Sequence, residues 1–141
     1  GMKICLNPAP FGKEVLEYPL HLVDMLIVNE IEGEGLSRKI KPDEIIAILS
    51  KKFSKAEIVL TIGSKGVIYK SSREYIKVPA VKVKPVDTTA AGDTFIGYFL
   101  ASIIEKKPVK ECLRIACKAA AICVSRKGAQ DSIPCRKEVI I

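Results

Sequence analysis

The run Asp87-Thr88-Thr89-Ala90-Ala91-Gly92-Asp93-Thr94-Phe95 sets a carboxylate at each end of a small-residue turn and leads straight into an apolar helical pattern. Asp93 therefore falls in the first turn of a helix, beside backbone N–H groups with no partner inside that helix. Such an end attracts anions, and Gly92, lacking a side chain, lets a phosphate come close to the backbone. A carboxylate next to a phosphate cradle can take the proton of an attacking hydroxyl, as phosphoryl transfer requires. Alternatively, the same residues form a plain helix cap in a Gly/Ala turn.

The remaining pattern alternates strands and helices. Residues 3–6 and 24–28 are short apolar runs, the second almost uninterrupted, as in a parallel strand covered on both faces. Residues 42–53 predict a helix with Pro42 in its first turn and Ile45, Ile46, Leu49 and Phe53 on one face. Residues 58–62 predict a buried strand, and 67–69 with 74–78 a hairpin around Ser71-Ser72 packed by Tyr69 and Tyr75. A helix over 94–105 is expected to bury Phe95, Phe99, Leu100, Ile103 and Ile104. Another starts at Pro108, carries Cys112, Leu113, Ala116, Ala120, Cys123 and Val124 on one stripe, and stops at Gly128. The last residues form a loop and a short element. This order predicts an α/β fold, a layered and mostly parallel sheet flanked by helices, with sites at the strands' C-terminal ends.

Two further segments sit where that rule places sites. Thr61-Ile62-Gly63-Ser64-Lys65-Gly66 follows a buried strand; its glycines permit unusual backbone angles, and the Thr61 and Ser64 hydroxyls can donate to phosphate oxygens. Taken alone it is equally an ordinary hairpin turn, and Lys65 equally a solvated lysine. Asn29 and Glu32 follow the second strand; an N-cap Asn29 with acids in the first helical turn explains them without any ligand.

Together with Asn7-Pro8-Ala9-Pro10 and Arg126-Lys127-Gly128-Ala129-Gln130, these segments resemble, in order and spacing, the ribokinase-type (PfkB) carbohydrate kinases. The resemblance implies a ribokinase-like fold and transfer of the ATP γ-phosphoryl to a sugar hydroxyl, with Asp93 as catalytic base. It implies nucleotide contacts at Asn29, at Thr61, Ile62, Gly63, Ser64, Lys65 and Gly66, and at Ala91, Gly92 and Asp93. Cys117 takes the adenine-lining position, where a thiol replaces the polar side chain of many relatives and leaves nucleotide preference open. Glu32 matches the residue that holds hydrated Mg²⁺. Asp87, Thr89, Cys123, Arg126, Gly128 and Ser132 match a K⁺ site built largely from backbone carbonyls.

At 141 residues the chain suits one domain, whereas kinases of this family are roughly twice as long. All the motifs belong to their C-terminal, ATP-binding half, so residues 1–141 are expected to lack the N-terminal sugar-binding half and its lid. Gly1 before Met2 reads as a residue left by a tag; a short reading frame, an experimental truncation and a proteolytic fragment all explain the length. A chain of this kind is expected to be inactive alone. The alternatives are a non-catalytic nucleotide-binding remnant or a half-enzyme needing a separate N-terminal chain. Sugar then binds only if that half is supplied, and the cut sheet edge, nearest residues 3–6, favours a homo-oligomer.

Composition narrows the setting. Cys5, Cys112, Cys117, Cys123 and Cys135 form no C-x-x-C pair, which argues against a disulfide framework or zinc site and for a reducing cytoplasm. The net charge of +7 comes from lysines scattered among glutamates and apolar residues, without an aromatic platform, so no nucleic-acid partner is expected. No apolar run reaches membrane-spanning length. His21 lies outside every motif and reads as structural.

Overall fold

The computed structural model describes residues 1–139 and divides the chain into two compact units. The first holds Gly1–Gly63 and Val67–Lys77, and the second holds Ser64–Gly66 and Val78 onward.

The first unit is built on a sheet of β1 (Cys5–Leu6), β2 (Met25–Val28), β3 (Glu57–Thr61), β4 (Val67–Lys70) and β5 (Tyr75–Val78), in that spatial order. β1, β2 and β3 run parallel, with Leu6 opposite Leu26 and Leu26 opposite Ile58. β4 returns antiparallel, placing Ile68 opposite Leu60. Every residue of β2 is buried, which accounts for its continuous apolar sequence. Helix α1 (Glu30–Ser37) and helix α2 (Pro42–Lys52) complete the unit. Pro42 opens α2, and Ile45, Ile46 and Leu49 pack with Leu26, Val28, Ile58 and Leu60. Truncating a fully buried leucine such as Leu49 to alanine costs about 2–5 kcal/mol.

β1 is shorter than the expected 3–6, because Ile4 is held by the residue preceding β2: its N–H reaches Asp24 Oδ2 at 2.8 Å, and its carbonyl accepts from Asp24 and Met25. The hairpin turn forms as its serines suggested, with Ser71 Oγ accepting from the Arg73 and Glu74 amides. Tyr69 is buried there, whereas Tyr75 stands half exposed and bonds Asp43.

The second unit pairs α3 (Ala91–Ile104) with α4 (Val109–Val124), followed by α5 (Arg136–Val139). Phe95 and Phe99 stack on one face of α3, their ring centroids 5.9 Å apart and planes at 16°. Ile104 is not buried with them but is 79% exposed. It lies about two and a half turns beyond Phe95, on the opposite side of the helix. On α4 the buried set is Cys112, Leu113, Ala116, Cys117, Ala119, Ala121 and Cys123, while Ala120 and Val124 are half-buried. The stripe is thus wider than a simple helical period suggested. Among the described residues, no helix is long and apolar enough to cross a membrane.

Candidate functional site

In the first unit, the candidate residues gather at the C-terminal ends of β1, β2 and β3. Asn29 caps α1: its Oδ1 accepts from the Glu32 amide at 3.0 Å, and Glu32 Oε2 accepts from the Asn29 amide at 2.8 Å. The N-x-x-E spacing is therefore a reciprocal capping box, reinforced by an Asn29 Nδ2 bond to Glu32 Oε1 at 3.0 Å. Glu32 is only 3% exposed, and the partners it has are neutral N–H donors. Asn7 sits in a motif whose sequence assigns it no role; its Nδ2 reaches Ile27 O at 2.8 Å and Glu32 Oε2 at 3.4 Å. No local signal links residues so far apart in sequence.

Thr61 Oγ1 donates to Val28 O at 3.4 Å, so its proton serves the sheet while its acceptor lone pairs stay available. Gly63, Ser64 and Lys65 then form a short 3-10 turn with Gly63 at φ 52°. Gly66, at φ 111°, runs so close to Val78 O and the Ala80 amide that a Cβ there has no room. A side chain at either glycine would strain the loop.

In the second unit, the loop 87–93 enters α3 through Ala90, which adopts the left-handed conformation at φ 61° and offers no side-chain cap. The Ala91 amide donates to Thr88 O at 3.3 Å, while those of Gly92 and Asp93 are left to solvent or a ligand. Gly92 and Asp93 are both exposed at this end, and Ala91 is half-buried.

The Val86 and Asp87 amides both donate to Val124 O, setting Asp87 beside the end of α4. Asp87 Oδ1 accepts from the Thr89 amide at 2.9 Å, and Oδ2 from the Gly128 amide at 3.1 Å. Hydrogen bonding from Thr89, by side chain first and then backbone, and from Gly128 holds the Asp87 carboxyl below its usual range. Buried Cys123 brings the neighbouring groups together: its Sγ lies 3.1 Å from Ser132 Oγ and 3.6 Å from Thr89 O. Ser132 Oγ also donates to Ala129 O at 2.6 Å. Arg126 gives its amide to Cys123 O and its guanidinium to Glu138. Burial pushes the Cys117 thiol up to about 11, so it stays neutral.

The donor chemistry tests the implied metals. Among the described residues no cluster of three His, Cys, Asp or Glu side chains is poised around a metal. Glu32, a buried carboxylate with no cationic partner among the described residues, suits Mg²⁺ retained with its waters, and the oxygen-rich Asp87, Thr89 and Ser132 groups suit a hard monovalent cation.

A profile of the pfkB family carbohydrate kinases matches residues 2–136. The chain is 37% identical to the ribokinase of Haemophilus influenzae and 41% identical to that of Schizosaccharomyces pombe, in each case over 99% of this chain and 47% or 46% of the relative. Arabidopsis thaliana ribokinase, solved in complex with ribose and ATP, superposes with a TM-score of 0.85 at 31% identity, over 99% of this chain and 47% of that one. The chain thus spans about half the length of the curated relatives it matches. With an α/β sheet of the same fold and a family profile across nearly its full length, the chain belongs to the pfkB family of carbohydrate kinases.

Proposed function

We propose that these 141 residues form the nucleotide-binding half of a ribokinase-like sugar kinase, the sugar-binding half lying outside them. The observation that carries the reading is the uncapped N-terminus of α3 with Asp93 exposed on its first turn. A carboxylate there takes the proton from a sugar hydroxyl, whose oxygen then bonds to the γ-phosphorus of ATP as the bond to the bridging oxygen breaks and ADP leaves. The N–H groups around Ala90 to Gly92, of which the Ala91 amide is shared with Thr88 O, stabilise the charge that develops on the phosphoryl oxygens.

Asn29 and the loop of Thr61, Ile62, Gly63, Ser64, Lys65 and Gly66 orient the phosphates, and Cys117 packs against the adenine. Glu32 would hold waters of Mg²⁺, whose charge would offset that of the phosphates. Asp87, Thr89, Cys123, Arg126, Gly128 and Ser132 would hold K⁺, whose charge would help tie the loop before α3 to the turn after α4.

Calorimetry with ATP or ADP, in Mg²⁺ and K⁺, is expected to show binding by the folded chain. Absence of heat and of any thermal shift at millimolar nucleotide overturns the proposal. The span of about half the relatives' length favours a second reading, a nucleotide-binding module without turnover. A coupled assay with ribose and ATP, run with and without a separately supplied sugar-binding half, separates the two.

A further inference from the structure

We infer that Asn7 is a positioning residue for the Glu32 carboxylate, and that it leaves Oε1 as the oxygen open to a hydrated divalent cation. The inference deepens the proposed nucleotide and magnesium reading and rests on it. An ionised carboxylate offers about four acceptor sites, two on each oxygen. Glu32 Oε2 receives the Asn29 amide at 2.8 Å and Asn7 Nδ2 at 3.4 Å, while Oε1 receives Asn29 Nδ2 at 3.0 Å. Oε2 is thereby filled and Oε1 keeps one position.

Asn7 is itself fixed, because its Nδ2 also donates to Ile27 O at 2.8 Å. Its amide bridges the end of β1, the end of β2 and the first turn of α1. Capping alone does not call for this third donor, since Asn29 and Glu32 already close the box between them. A buried carboxylate with one oxygen saturated by neutral donors keeps a single defined direction for a further partner. Outer groups of this kind orient the residue that meets the metal.

The test titrates ADP into the 141-residue chain across a Mg²⁺ series and, separately, in EDTA. Asn7→Ala and Asn7→Asp are each expected to raise the Mg²⁺ concentration at half-saturation about tenfold, the low end for outer-shell partners. Affinity for metal-free ADP should stay within about twofold, and the shift should vanish in a Glu32→Gln background. A merely structural Asn7 lowers both affinities together, and that result overturns the inference. So does an unchanged Mg²⁺ requirement in either folded variant, a shift that persists with Glu32→Gln, or failure of both variants to fold. If the unsubstituted chain binds ADP with no response to Mg²⁺, the magnesium role of Glu32 falls and this inference with it. A normal response with unaffected Asn7 variants removes the inference alone.

Discussion

Asp87 Oδ2 accepts the Gly128 amide at 3.1 Å, so one carboxylate ties the loop before α3 to the turn after α4. Its other oxygen holds the Thr89 amide, and the whole arrangement favours the ionised form. A carboxyl depressed in the folded state stabilises that state above its unfolded pKa of about 3.9, and loses the contribution as pH falls through the folded value.

Asp87→Asn is therefore expected to lower the thermal midpoint at neutral pH, with the difference from the original chain closing below about pH 4. Thermal melts across a pH series read this directly. A gap of constant size into acid means that the charge of Asp87 contributes nothing.

Asp93→Asn is expected to cut sugar phosphorylation about 10²–10⁴-fold in an enzyme supplied with its sugar-binding half, because an amide keeps the shape but cannot take the hydroxyl proton. ATP affinity should change little, since the α3 amides are untouched. Turnover within a few-fold of the original removes Asp93 as the base.

Ala90 stands at φ 61°, a conformation costing an L-residue about 1–2 kcal/mol and glycine almost nothing. Ala90→Gly should raise unfolding free energy by about 0.5–1 kcal/mol, the greater freedom of glycine in the unfolded chain offsetting part of the gain. Urea unfolding measures it, and a destabilised variant shows that the methyl group makes contacts outweighing the strain.

Thr94 Oγ1 is buried without a hydrogen-bond partner among the described residues. Replacing both a buried hydroxyl and its desolvation cost with a methyl is neutral or favourable. Thr94→Val is thus expected to match or exceed the original stability by up to about 1 kcal/mol, whereas Thr94→Ser loses packing. A clear loss in Thr94→Val means the hydroxyl is bonded to an ordered water or ligand.

Where local chemistry decides, the sequence was readable. β2 and β3 announce themselves by unbroken apolar runs, Pro42 by its place at a helix start, and Ser71 by its turn. Asn29 and Glu32 read as a cap, yet the helix they open, Glu30–Ser37, shows no clear period, since its two glycines and three glutamates hide it. Ile104 departs from the expected buried face because an apolar residue at a helix end joins the stripe only if its angle permits. Contacts that depend on tertiary approach have no local signal: Asn7 to Glu32 had none at all, and Cys123 and Ser132 were linked only through the family resemblance.

β1 ends the sheet order and is only the pair Cys5–Leu6, with Ile4 45% exposed beside it. An edge strand offers N–H and C=O groups to another chain, and a short strand with a nearby lysine restrains that pairing. Lys3, ion-paired to Glu57 at 3.9 Å, supplies such a lysine. The edge therefore predicts weak self-association through β1 that grows with concentration, most simply as a symmetric dimer. Sedimentation velocity over a concentration series should show it, and Ile4→Lys should abolish it by placing a second charge at the edge without touching the backbone bonds to Asp24. A monomer at every concentration, or a dimer indifferent to Ile4→Lys, rules out this edge as the contact.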